Sequence, residues 1–507
     1  MAQARGGNKR PGAAWAGQIT IQARSMIEDV LYYVAAGGGA AFQLTSACHA
    51  LLNKRDPRSQ LGWVVLCVMV PIVGALAYWL FGVNRIRTRA RRWQERGRFR
   101  DLSGDGVSDE RAIASLADQH PEKAEELRQL LQIAERVTRR PLMGGNLVEP
   151  LYNGEQAYPA MLEAIEQARS YVYLSTYIFN VDSVGARFVE ALGRAASRGV
   201  DVRVLVDAIG EKYGRPRLSK ALREHPEVRL ALFLPLTLSW KSVRVNMRNH
   251  RKLLVADGRV GFTGGMNIAE RHLVATPTSS TPTRDIQFRV RGPVVPAMVE
   301  TFMEDWYFVT GDAAWPAQEI IEPAGDALCR PIKDGPNEDF ERLQWILVGA
   351  MSCARESIRI ITPYFIPGRE LLAALNSAVL RGVHVELILP EASNLPYVDW
   401  ACRAMLWEVL QYGTTIYLQP PPFDHTKLLI VDDFYVNLGS ANLDPRSLRL
   451  NFELNLEVFD PDLGTELARH FVEVRARSRP ITINSLDRRP FPVKLRDAAA
   501  KLFAPYL

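Results

Sequence analysis

The sequence predicts an α/β protein with two tandem α/β layered domains, which are related by pseudo-twofold symmetry and follow an N-terminal helical membrane anchor. Three observations lead to this architecture: two long uncharged segments near the N-terminus, an internal repeat that begins near residue 146, and a polar motif that occurs once in each repeat. Of the 507 residues, 47% are hydrophobic and 23% are charged. This composition is typical of a packed protein with two or three folded units.

The first 100 residues are predicted to form the anchor, with two probable transmembrane helices at about 30–53 and 61–83. Segment 61–83 reads LGWVVLCVMVPIVGALAYWLFGV, and as a helix it is long enough to cross about 30 Å of hydrocarbon. Segment 30–53 is also uncharged, but three consecutive glycines, Gly37 to Gly39, dilute its apolar character. A re-entrant or interfacial helix is therefore the alternative for this first segment.

Basic residues are concentrated in the anchor. Residues 1–100 contain 15 Lys and Arg against 4 Asp and Glu, a balance of +11, whereas residues 101–507 contain 47 against 52, a balance of −5. Eight arginines between Arg85 and Arg100 follow the second apolar segment, and such a run indicates the cytoplasmic side of the membrane. We therefore predict a multi-pass membrane protein whose C-terminal part is cytoplasmic. The acidic balance of that part disfavours nucleic acid as a partner.

A polar, helical connector is predicted over residues 101–145, and two copies of one unit follow it, at 146–325 and 326–507. The aligned stretches are AIEQARSYVYLSTYIF (164–179) with AMSCARESIRIITPYF (350–365), and RGVDVRVLV (198–206) with RGVHVELIL (381–389). Each copy reads as helix, strand, helix and then a buried strand after Arg-Gly-Val. This order is the βαβ pattern of an α/β layered domain.

Each repeat contains one His-x-Lys-x-x-x-x-Asp motif, in RNHRKLLVADG (248–258) and in FDHTKLLIVDD (423–433). Of the eight histidines in the chain, only these two have a lysine two positions later. An apolar run follows each motif lysine, which predicts a strand, and side chains two residues apart on a strand share one face. The motif residues are His250, Lys252 and Asp257 in the first repeat and His425, Lys427 and Asp432 in the second.

An asparagine follows each motif histidine by 17 residues, as Asn267 in GGMN and Asn442 in GSAN. The equivalent small residues differ, being Gly265 in the first repeat and Ser440 in the second. Imidazole, ammonium and carboxamide groups on one face suit a tetrahedral phosphate, because a neutral histidine can attack phosphorus while the other groups bind its oxygens. With two such sets, one histidine would be the nucleophile and the other, protonated, would release the alkoxide.

These motifs resemble those of the phospholipase D superfamily and, more narrowly, of the bacterial cardiolipin synthases. The resemblance rests on NHRKLLVADGRVGFTGGMNI (249–268) and FDHTKLLIVDDFYVNLGSANLDPRSLRLNFELNLEVFD (423–460), and it covers most of 146–507. The stretch 49–82 also resembles the two-helix anchor of those synthases. A bacterial inner membrane location follows from the resemblance.

The resemblance implies a two-step phosphatidyl transfer in which two phosphatidylglycerol molecules give cardiolipin and glycerol through a phosphohistidine. By the family's usual assignment His250 is the nucleophile and His425 the acid, although the residues alone leave this choice open. Phosphatidylglycerol and anionic membrane lipid are the implied partners, and no cofactor or metal is expected, since the five cysteines are scattered and form no ligand cluster. The alternatives are a hydrolase, a transferase that uses another acceptor, and a membrane-tethered nuclease of the same superfamily.

The remaining candidate residues surround the motif. Asp257 and Asp432 stand at strand ends, where we expect a mainly architectural role. Asp285 and Glu453 are the candidates for orienting the histidines, because an imidazole nucleophile needs a carboxylate on its other nitrogen. Arg284, Tyr177 and Tyr364 match family positions that line the headgroup site. Gly368 stands where these synthases usually have Asp, and TPTRD (281–285) lacks the usual Trp, which puts the acceptor in doubt.

Overall fold

The computed structural model describes residues 12–54, 57–83, 121–235, 247–277, 279–317, 320–335 and 341–504. The chain divides into two units, Met1–Arg85 and Ile86–Leu507. The predicted basic run from Arg85 to Arg100 and the first part of the predicted connector lie outside the described residues.

The N-terminal unit contains helices α1 (Gly12–Asn53), α2 (Pro57–Met69) and α3 (Val73–Ala77), followed by a π-helical turn at Tyr78–Gly82. Helix α1 extends beyond the predicted segment 30–53, whereas segment 61–83 is interrupted. The interruption follows from Pro71, which has no N–H to donate, and from Ile72, whose φ of 60° leaves the helical region.

Side chains of α1 and α2 pack on the π-helical turn, with Ala50, Cys67 and Tyr78 buried between them. His49 Nδ1 lies 2.7 Å from the hydroxyl oxygen of Tyr78. Among the helices that the structure describes, none is both long enough and apolar enough to cross a bilayer. The prediction of two transmembrane spans is thus not confirmed.

The second unit begins, in its described part, with helix α4 (Pro121–Thr138), in the predicted connector. The strands of the first half are β1 (Met143–Tyr152), β2 (Tyr171–Thr176), β3 (Asp201–Asp207), β4 (Arg229–Phe233), β5 (Leu253–Ala256), β6 (Val260–Gly264), β7 (Thr283–Arg284) and β8 (Ile286–Arg291). Its helices are α5 (Asn153–Gln167), α6 (Ser183–Ser197), α7 (Leu218–Ala221) and α8 (Val295–Thr310).

The second half repeats this order. Its strands are β9 (Ala327–Asp334), β10 (Ser357–Ile361), β11 (His384–Pro390), β12 (Thr415–Gln419), β13 (Phe423–Asp424), β14 (Leu428–Val431), β15 (Tyr435–Gly439), β16 (Glu453–Phe459) and β17 (Arg479–Ile481). Its helices are α9 (Arg342–Cys353), α10 (Arg369–Leu380), α11 (Pro396–Arg403), α12 (Trp407–Leu410), α13 (Pro445–Arg449), α14 (Pro461–Ala476), α15 (Ile483–Asp487) and α16 (Phe491–Lys501).

One 15-stranded sheet runs through both halves, in the order β17-β12-β11-β10-β14-β15-β16-β9-β1-β8-β6-β5-β2-β3-β4. The order is the same on both sides of the β9–β1 junction, apart from the extra edge strand β17, so the predicted pseudo-twofold passes through that junction. The first strand of each repeat pairs antiparallel with the other, Met143 opposite Cys329. Because this pairing leaves no open edge between the halves, the two predicted domains share a single sheet.

The sheet is covered on both faces. Helices α5 and α6 pack on one face of the first half, and α9, α10 and α11 pack on the second half through a separate apolar core. Helices α8 and α14 cover the opposite face through one core that spans both halves. Strands β5 and β14, whose residues are all buried, lie inside these layers and fix the positions of the motif residues that precede them.

Candidate active site

The two motif histidines enter the site just before β5 and β14, and backbone bonds from the opposite half hold each of them. The N–H of His250 donates to the carbonyl of Phe452 at 2.9 Å, and the N–H of His425 donates to the carbonyl of Arg284 at 2.8 Å. The accepting residue in each case directly precedes a predicted orienting carboxylate. The chain path thus brings each histidine beside an acid of the other repeat.

The side chains form two crossed histidine–carboxylate pairs. His250 Nδ1 lies 3.0 Å from both carboxylate oxygens of Glu453, and His425 Nδ1 lies 3.0 Å from Asp285 Oδ2. Both carboxylates are fully buried, whereas the side chain of His250 is 12% exposed and that of His425 is 11% exposed. Since Nδ1 is occupied in each ring, Nε2 is the nitrogen left to face a substrate.

The motif lysines lie on the same face as the histidines. Lys252 Nζ donates to the carbonyl of His250 at 2.6 Å, and Lys427 makes the equivalent bond to His425. Burial lowers the pKa of Lys427 to about 8 and that of Lys252 well below its usual value. A bound phosphodiester would favour the charged form of both lysines, because an opposite charge nearby raises the pKa of an amine.

The two pairs hold different numbers of protons. Burial lowers the pKa of His250 to about 4, so its imidazole is neutral. Burial acts to raise the pKa of Glu453, but its pairing with His250, the charge of Lys252 and the hydrogen bond from Ser440 together outweigh burial and lower that pKa. At neutral pH the first pair is therefore a neutral imidazole beside a carboxylate.

The second pair keeps an additional proton at neutral pH. Burial raises the pKa of Asp285 to about 8, although the charge of Lys427 opposes this. Burial and the charges of both motif lysines lower the pKa of His425 well below its usual value. The additional proton therefore belongs to the Asp285–His425 hydrogen bond, and the two pairs differ by one unit of charge.

The small residues Gly265 and Ser440 account for part of this difference. Ser440 Oγ donates to Glu453 Oε2 at 2.6 Å, and Asn451 Nδ2 donates to Glu453 Oε1 at 3.2 Å. At the equivalent position of the first repeat, a Cβ on Gly265 would lie 2.5 Å from Asp285 Oδ1. Asp285 therefore packs against a glycine, whereas Glu453 receives two additional hydrogen bonds that favour its ionised form.

The predicted tyrosines and asparagines border the two pairs. The ring of Tyr177 lies 5.4 Å from that of His250, and the ring of Tyr364 lies 6.4 Å from that of His425. Asn267 Oδ1 accepts a bond from the N–H of Ile178, which leaves its amide nitrogen as a donor. Asn442 Oδ1 is buried and has no hydrogen-bond partner among the described residues.

Comparison with known proteins identifies the family. The family model described as cardiolipin synthase, PLD-like domain, matches residues 161–280 and 347–475, and the model described as phospholipase D-nuclease N-terminal matches residues 41–82. The cardiolipin synthase of Geobacillus thermodenitrificans is 31% identical over 90% of this chain and 90% of its own length. The major cardiolipin synthase ClsA of Bacillus subtilis is 29% identical over 90% of this chain and 95% of its own.

The chain belongs to the cardiolipin synthase family. The resemblance inferred from the motifs is thus confirmed. The crystal structure of phosphatidylserine synthase from Haemophilus influenzae aligns with a TM-score of 0.58 at 16% identity, over 74% of this chain and 99% of that one. This similarity concerns the fold alone, and it confirms the predicted α/β architecture.

The aspartates of the cardiolipin synthase motif lie at the far ends of β5 and β14 from the histidines. Asp257 accepts backbone N–H bonds from Arg169, Ser170 and Tyr171 at 2.8 to 2.9 Å. Asp432 accepts the equivalent bonds from Arg355, Glu356 and Ser357 at 2.8 to 3.0 Å. These bonds hold the chain that enters β2 and β10. This geometry is that of a structural contact, and the mainly architectural role of both aspartates stays a prediction.

Arg284 lies next to the second histidine–carboxylate pair, since its carbonyl accepts from the N–H of His425. It lines a cavity of about 400 Å³ together with Asp285, Asp424, Thr426 and Arg477, and neither motif histidine lines that cavity. The residue equivalent to Arg284 in the second repeat is Phe452, whose ring packs 5.1 Å from that of Phe233. That Arg284 lines the headgroup site stays a prediction.

Several residues of the site were not predicted from the sequence. Asn451 binds Glu453 directly, and Arg251 Nε donates to the Glu453 carbonyl at 3.0 Å while its Nη1 pairs with Asp305 at 2.7 Å. Arg271, four residues after Asn267, brings a charge close to Tyr364 and His425. Two sequence signals could have indicated these arginines. Arg251 stands between the motif residues His250 and Lys252, and Arg271 follows Asn267 by four residues.

Within the part of the chain that the structure describes, no group of three or more His, Cys, Asp or Glu side chains is arranged to hold a metal ion. Lys252, Lys427 and the nearby Arg271 are the basic side chains at the site.

Proposed function

We propose that the protein is a membrane-bound phosphatidyltransferase that makes cardiolipin and glycerol from two phosphatidylglycerol molecules. The observation that carries the proposal is the pair of crossed histidine–carboxylate contacts, His250 with Glu453 and His425 with Asp285. Two histidines with opposite proton requirements are what a covalent phosphoryl intermediate needs. Membership of the cardiolipin synthase family supports the choice of substrate.

In the first step, the neutral Nε2 of His250 attacks phosphorus of the donor phosphatidylglycerol. A P–N bond forms as the bond between phosphorus and the glycerol oxygen breaks, and the proton of the His425–Asp285 pair goes to that oxygen. Glycerol leaves, and the phosphatidyl group stays on His250. Lys252, Lys427 and the amide of Asn267 would bind the non-bridging oxygens, where they stabilise the developing charge.

In the second step, the His425–Asp285 pair has lost its proton and acts as the base. It takes the proton of the terminal glycerol hydroxyl of a second phosphatidylglycerol, whose oxygen attacks phosphorus as the P–N bond breaks. Cardiolipin forms and His250 returns to its neutral state. One phosphodiester is exchanged for another, so the reaction needs no nucleotide to drive it.

The charge difference between the two pairs supports His250 as the nucleophile. Its partner Glu453 is kept ionised by its contacts with His250, Lys252 and Ser440, so the imidazole keeps its hydrogen on Nδ1 and its lone pair on Nε2. The additional proton of the other pair suits a general acid. The reverse assignment would require the pair with fewer protons to donate one.

The product mixture tests the reaction directly. Purified full-length protein in detergent, given phosphatidylglycerol labelled in its acyl chains, should yield labelled cardiolipin and unlabelled free glycerol. Phosphatidic acid as the main product would favour a hydrolase, and absence of both products would reject the transfer. His250→Ala and His425→Ala should each lower the rate by roughly three orders of magnitude or more. Near-normal turnover in either variant would contradict a two-histidine mechanism.

We further propose that the enzyme lies in the bacterial inner membrane with its catalytic part in the cytoplasm and anionic lipid around it. The arginines between Arg85 and Arg100 support this orientation. Reporter fusions after Gly17, Pro57 and Leu507 should give cytoplasmic, external and cytoplasmic signals respectively. An external signal at Leu507 would reverse the orientation, and an external signal at Gly17, with Pro57 external and Leu507 cytoplasmic, would mean that the first segment does not span.

A further inference from the structure

The C-terminal helix α16 is fixed to the second half by its inner face. Asp497 is almost fully buried and pairs with Arg489 at 2.6 Å and with Arg496 at 2.7 Å. The guanidinium of Arg496 lies 4.5 Å from the ring centre of Trp400 on α11, and Lys501 pairs with Glu408. Ala500 and Ala504 pack against the apolar core of this half. These contacts fix which face of the helix is turned outward.

The outer face of α16 is apolar although it faces solvent. Phe491 is 73% exposed and Leu495 is 58% exposed, and they share one face because they are four residues apart in the helix. Leu502 and Phe503, directly after the helix, are 78% and 62% exposed. Such a concentration of exposed large apolar side chains in one short segment is typical of a surface that binds a partner.

Basic side chains surround this apolar face. Residues 488–504 contain five Lys and Arg and one acidic residue, Asp497, which is already paired and buried. Arg488 and Lys494 are exposed, and the side chain of Arg496 is 44% exposed beyond its ion pair. The two neighbouring helices add half-exposed aromatic residues, Tyr397 on α11 and Trp407 on α12. An apolar face with basic borders and nearby Tyr and Trp matches the surface of an anionic bilayer.

Helix α16 packs on α11, a helix that begins near the active-site edge of the sheet. Strand β11 runs parallel to β10, so both end at the edge where Tyr364 borders His425. The hydroxyl of Tyr364 donates to Asn394 Oδ1 at 2.6 Å, two residues before α11 begins. Helix α11 in turn packs against α16. The apolar face is thus connected to the active site through α11 and Asn394.

We propose that α16, together with Leu502 and Phe503, is an interfacial segment that docks the catalytic unit on a bilayer of anionic phospholipid. The apolar side chains would enter the boundary between headgroups and acyl chains, and the basic side chains would bind the phosphates around them. Docking of this kind keeps the catalytic unit at the lipid surface, independently of the N-terminal anchor. This inference rests on the proposed function only in that the substrate is a membrane lipid.

An environment-sensitive fluorophore at position 495 tests docking without any measurement of activity. The full-length chain, with the exposed Cys48 replaced by serine, is labelled at Leu495→Cys and reconstituted in nanodiscs of phosphatidylglycerol. We expect a blue-shifted emission that spin-labelled lipid quenches. The matched control is Leu380→Cys, which is 71% exposed at the end of α10, where the chain turns into the opposite end of β11. Position 380 should show neither effect.

Three results would overturn the docking proposal. The first is an unchanged emission at position 495. The second is an equal response in nanodiscs of zwitterionic phosphatidylcholine, because the basic border would then have no role. The third is a blue shift in detergent that grows with protein concentration, since a second copy of the chain would then cover the face.

Activity measurements provide a separate test. The double variant Phe491→Gln and Leu495→Gln should turn over phosphatidylglycerol in bilayers about tenfold or more slowly, because two large apolar side chains no longer favour the interface. Turnover of a short-chain, water-soluble phosphatidylglycerol should be unchanged, and Leu380→Gln should be normal with both substrates. An equal loss with both substrates would overturn the role in docking, whereas inactivity of the unmodified protein with both would instead reject the proposed reaction.

Discussion

At the residue scale, the site depends on two histidines whose surroundings differ although their motif is the same. Ser440 and Asn451 donate to Glu453, while Gly265 leaves room for Asp285 and donates nothing to it from a side chain. The resulting difference in proton content divides the nucleophile from the acid. The division therefore depends on the neighbours of the carboxylates as well as on the histidines themselves.

The pH dependence of the rate should reveal the proton held by Asp285 and His425. Burial raises the pKa of Asp285 to about 8, so the proton is present below that pH and is lost as the pH rises through it. We expect kcat/KM to fall about tenfold per pH unit above roughly pH 8. Lys427, whose pKa is lowered to about 8, titrates in the same range, and Lys427→Arg separates the two causes. The alkaline limb should persist in Lys427→Arg, and its disappearance would assign the limb to the lysine.

The hydrogen bond from Ser440 should contribute less to kcat/KM than the space beside Gly265. Removing the hydroxyl in Ser440→Ala takes one hydrogen bond from a charged carboxylate, which we expect to cost about tenfold in kcat/KM and to raise the pKa of Glu453. The loss of activity on acidification should then begin at higher pH. Gly265→Ala is the matched change in the other repeat, and it should be far more severe because the new Cβ would lie 2.5 Å from Asp285 Oδ1. Equal effects of the two substitutions would contradict this asymmetry.

Much of the site could be predicted from single residues, and the rest depends on how the halves meet. The spacing of His250 and Lys252 placed both on one face, and the need of imidazole for a carboxylate indicated Asp285 and Glu453. The sequence could not say that Glu453 serves the histidine of the other repeat, because that contact joins residues 203 positions apart. The sequence could not say which space Arg284 fills for a related reason: the repeats have Arg and Phe at this position, and only the packed structure shows the cavity that the arginine lines.

At the element scale, buried apolar runs predicted the strands correctly. The ends of the helices depend on single residues, such as a proline, which the hydrophobic pattern does not reveal. Strands β5 and β14 follow the motif lysines as expected. In the N-terminal unit, hydropathy alone suggested one helix over 61–83, but Pro71 and Ile72 interrupt it. The nearby Gly74 also packs closely, since a Cβ there would lie 2.0 Å from the carbonyl oxygen of Leu66. Total hydropathy is insensitive to such a break.

Each motif aspartate connects the end of one strand to the start of another. Asp257 has a φ of 52° and holds three backbone N–H groups at the entrance of β2. Asp257→Ala should lower the free energy of unfolding by about 3 kcal/mol, through lost hydrogen bonds and the left-handed backbone that alanine disfavours. The turnover per folded molecule should stay normal at a temperature where the variant is folded.

Thermal unfolding and kcat of the same preparation distinguish this structural role from a catalytic one. Asp257→Asn is the control, because asparagine tolerates positive φ and keeps one acceptor oxygen. It should fall between the original protein and the alanine variant in stability. A large loss of kcat in Asp257→Ala without a loss of stability would restore the aspartate to the catalytic set.

At the scale of the whole molecule, one sheet and one site are assembled from two copies of a unit that could not work alone. Strands β1 and β9 pair at the centre, and helices α8 and α14 share a core across both halves. Each half contributes a histidine and the carboxylate for the other histidine. The repeat predicted the symmetry, but the continuity of the sheet follows from the pairing of two edge strands that the sequence does not identify as partners.

This division of the site predicts how the enzyme behaves when the chain is cut. A break after Ala317 lies in the segment between α8 and β9, near Ile320, which is 93% exposed. Co-expressed fragments 1–317 and 318–507 should associate, because β1 would otherwise leave an unpaired edge and the shared core would be open to water. Their complex should form cardiolipin, whereas neither fragment should do so by itself.

Because the histidine–carboxylate contacts cross between the fragments, a substitution in one fragment should disable the histidine of the other. Glu453→Gln in the second fragment should inactivate the complex although the altered residue and His250 lie on different fragments, since the nucleophile then loses the carboxylate that orients it. Replacing the exposed Leu380 in the same fragment by glutamine is the matched control and should leave turnover intact. Cardiolipin synthesis by one fragment alone, single or self-associated, would contradict a site that requires both repeats. Assembly of a stable complex that is inactive even without substitutions would mean that the continuous chain is needed to hold His250 and His425 at their working separation.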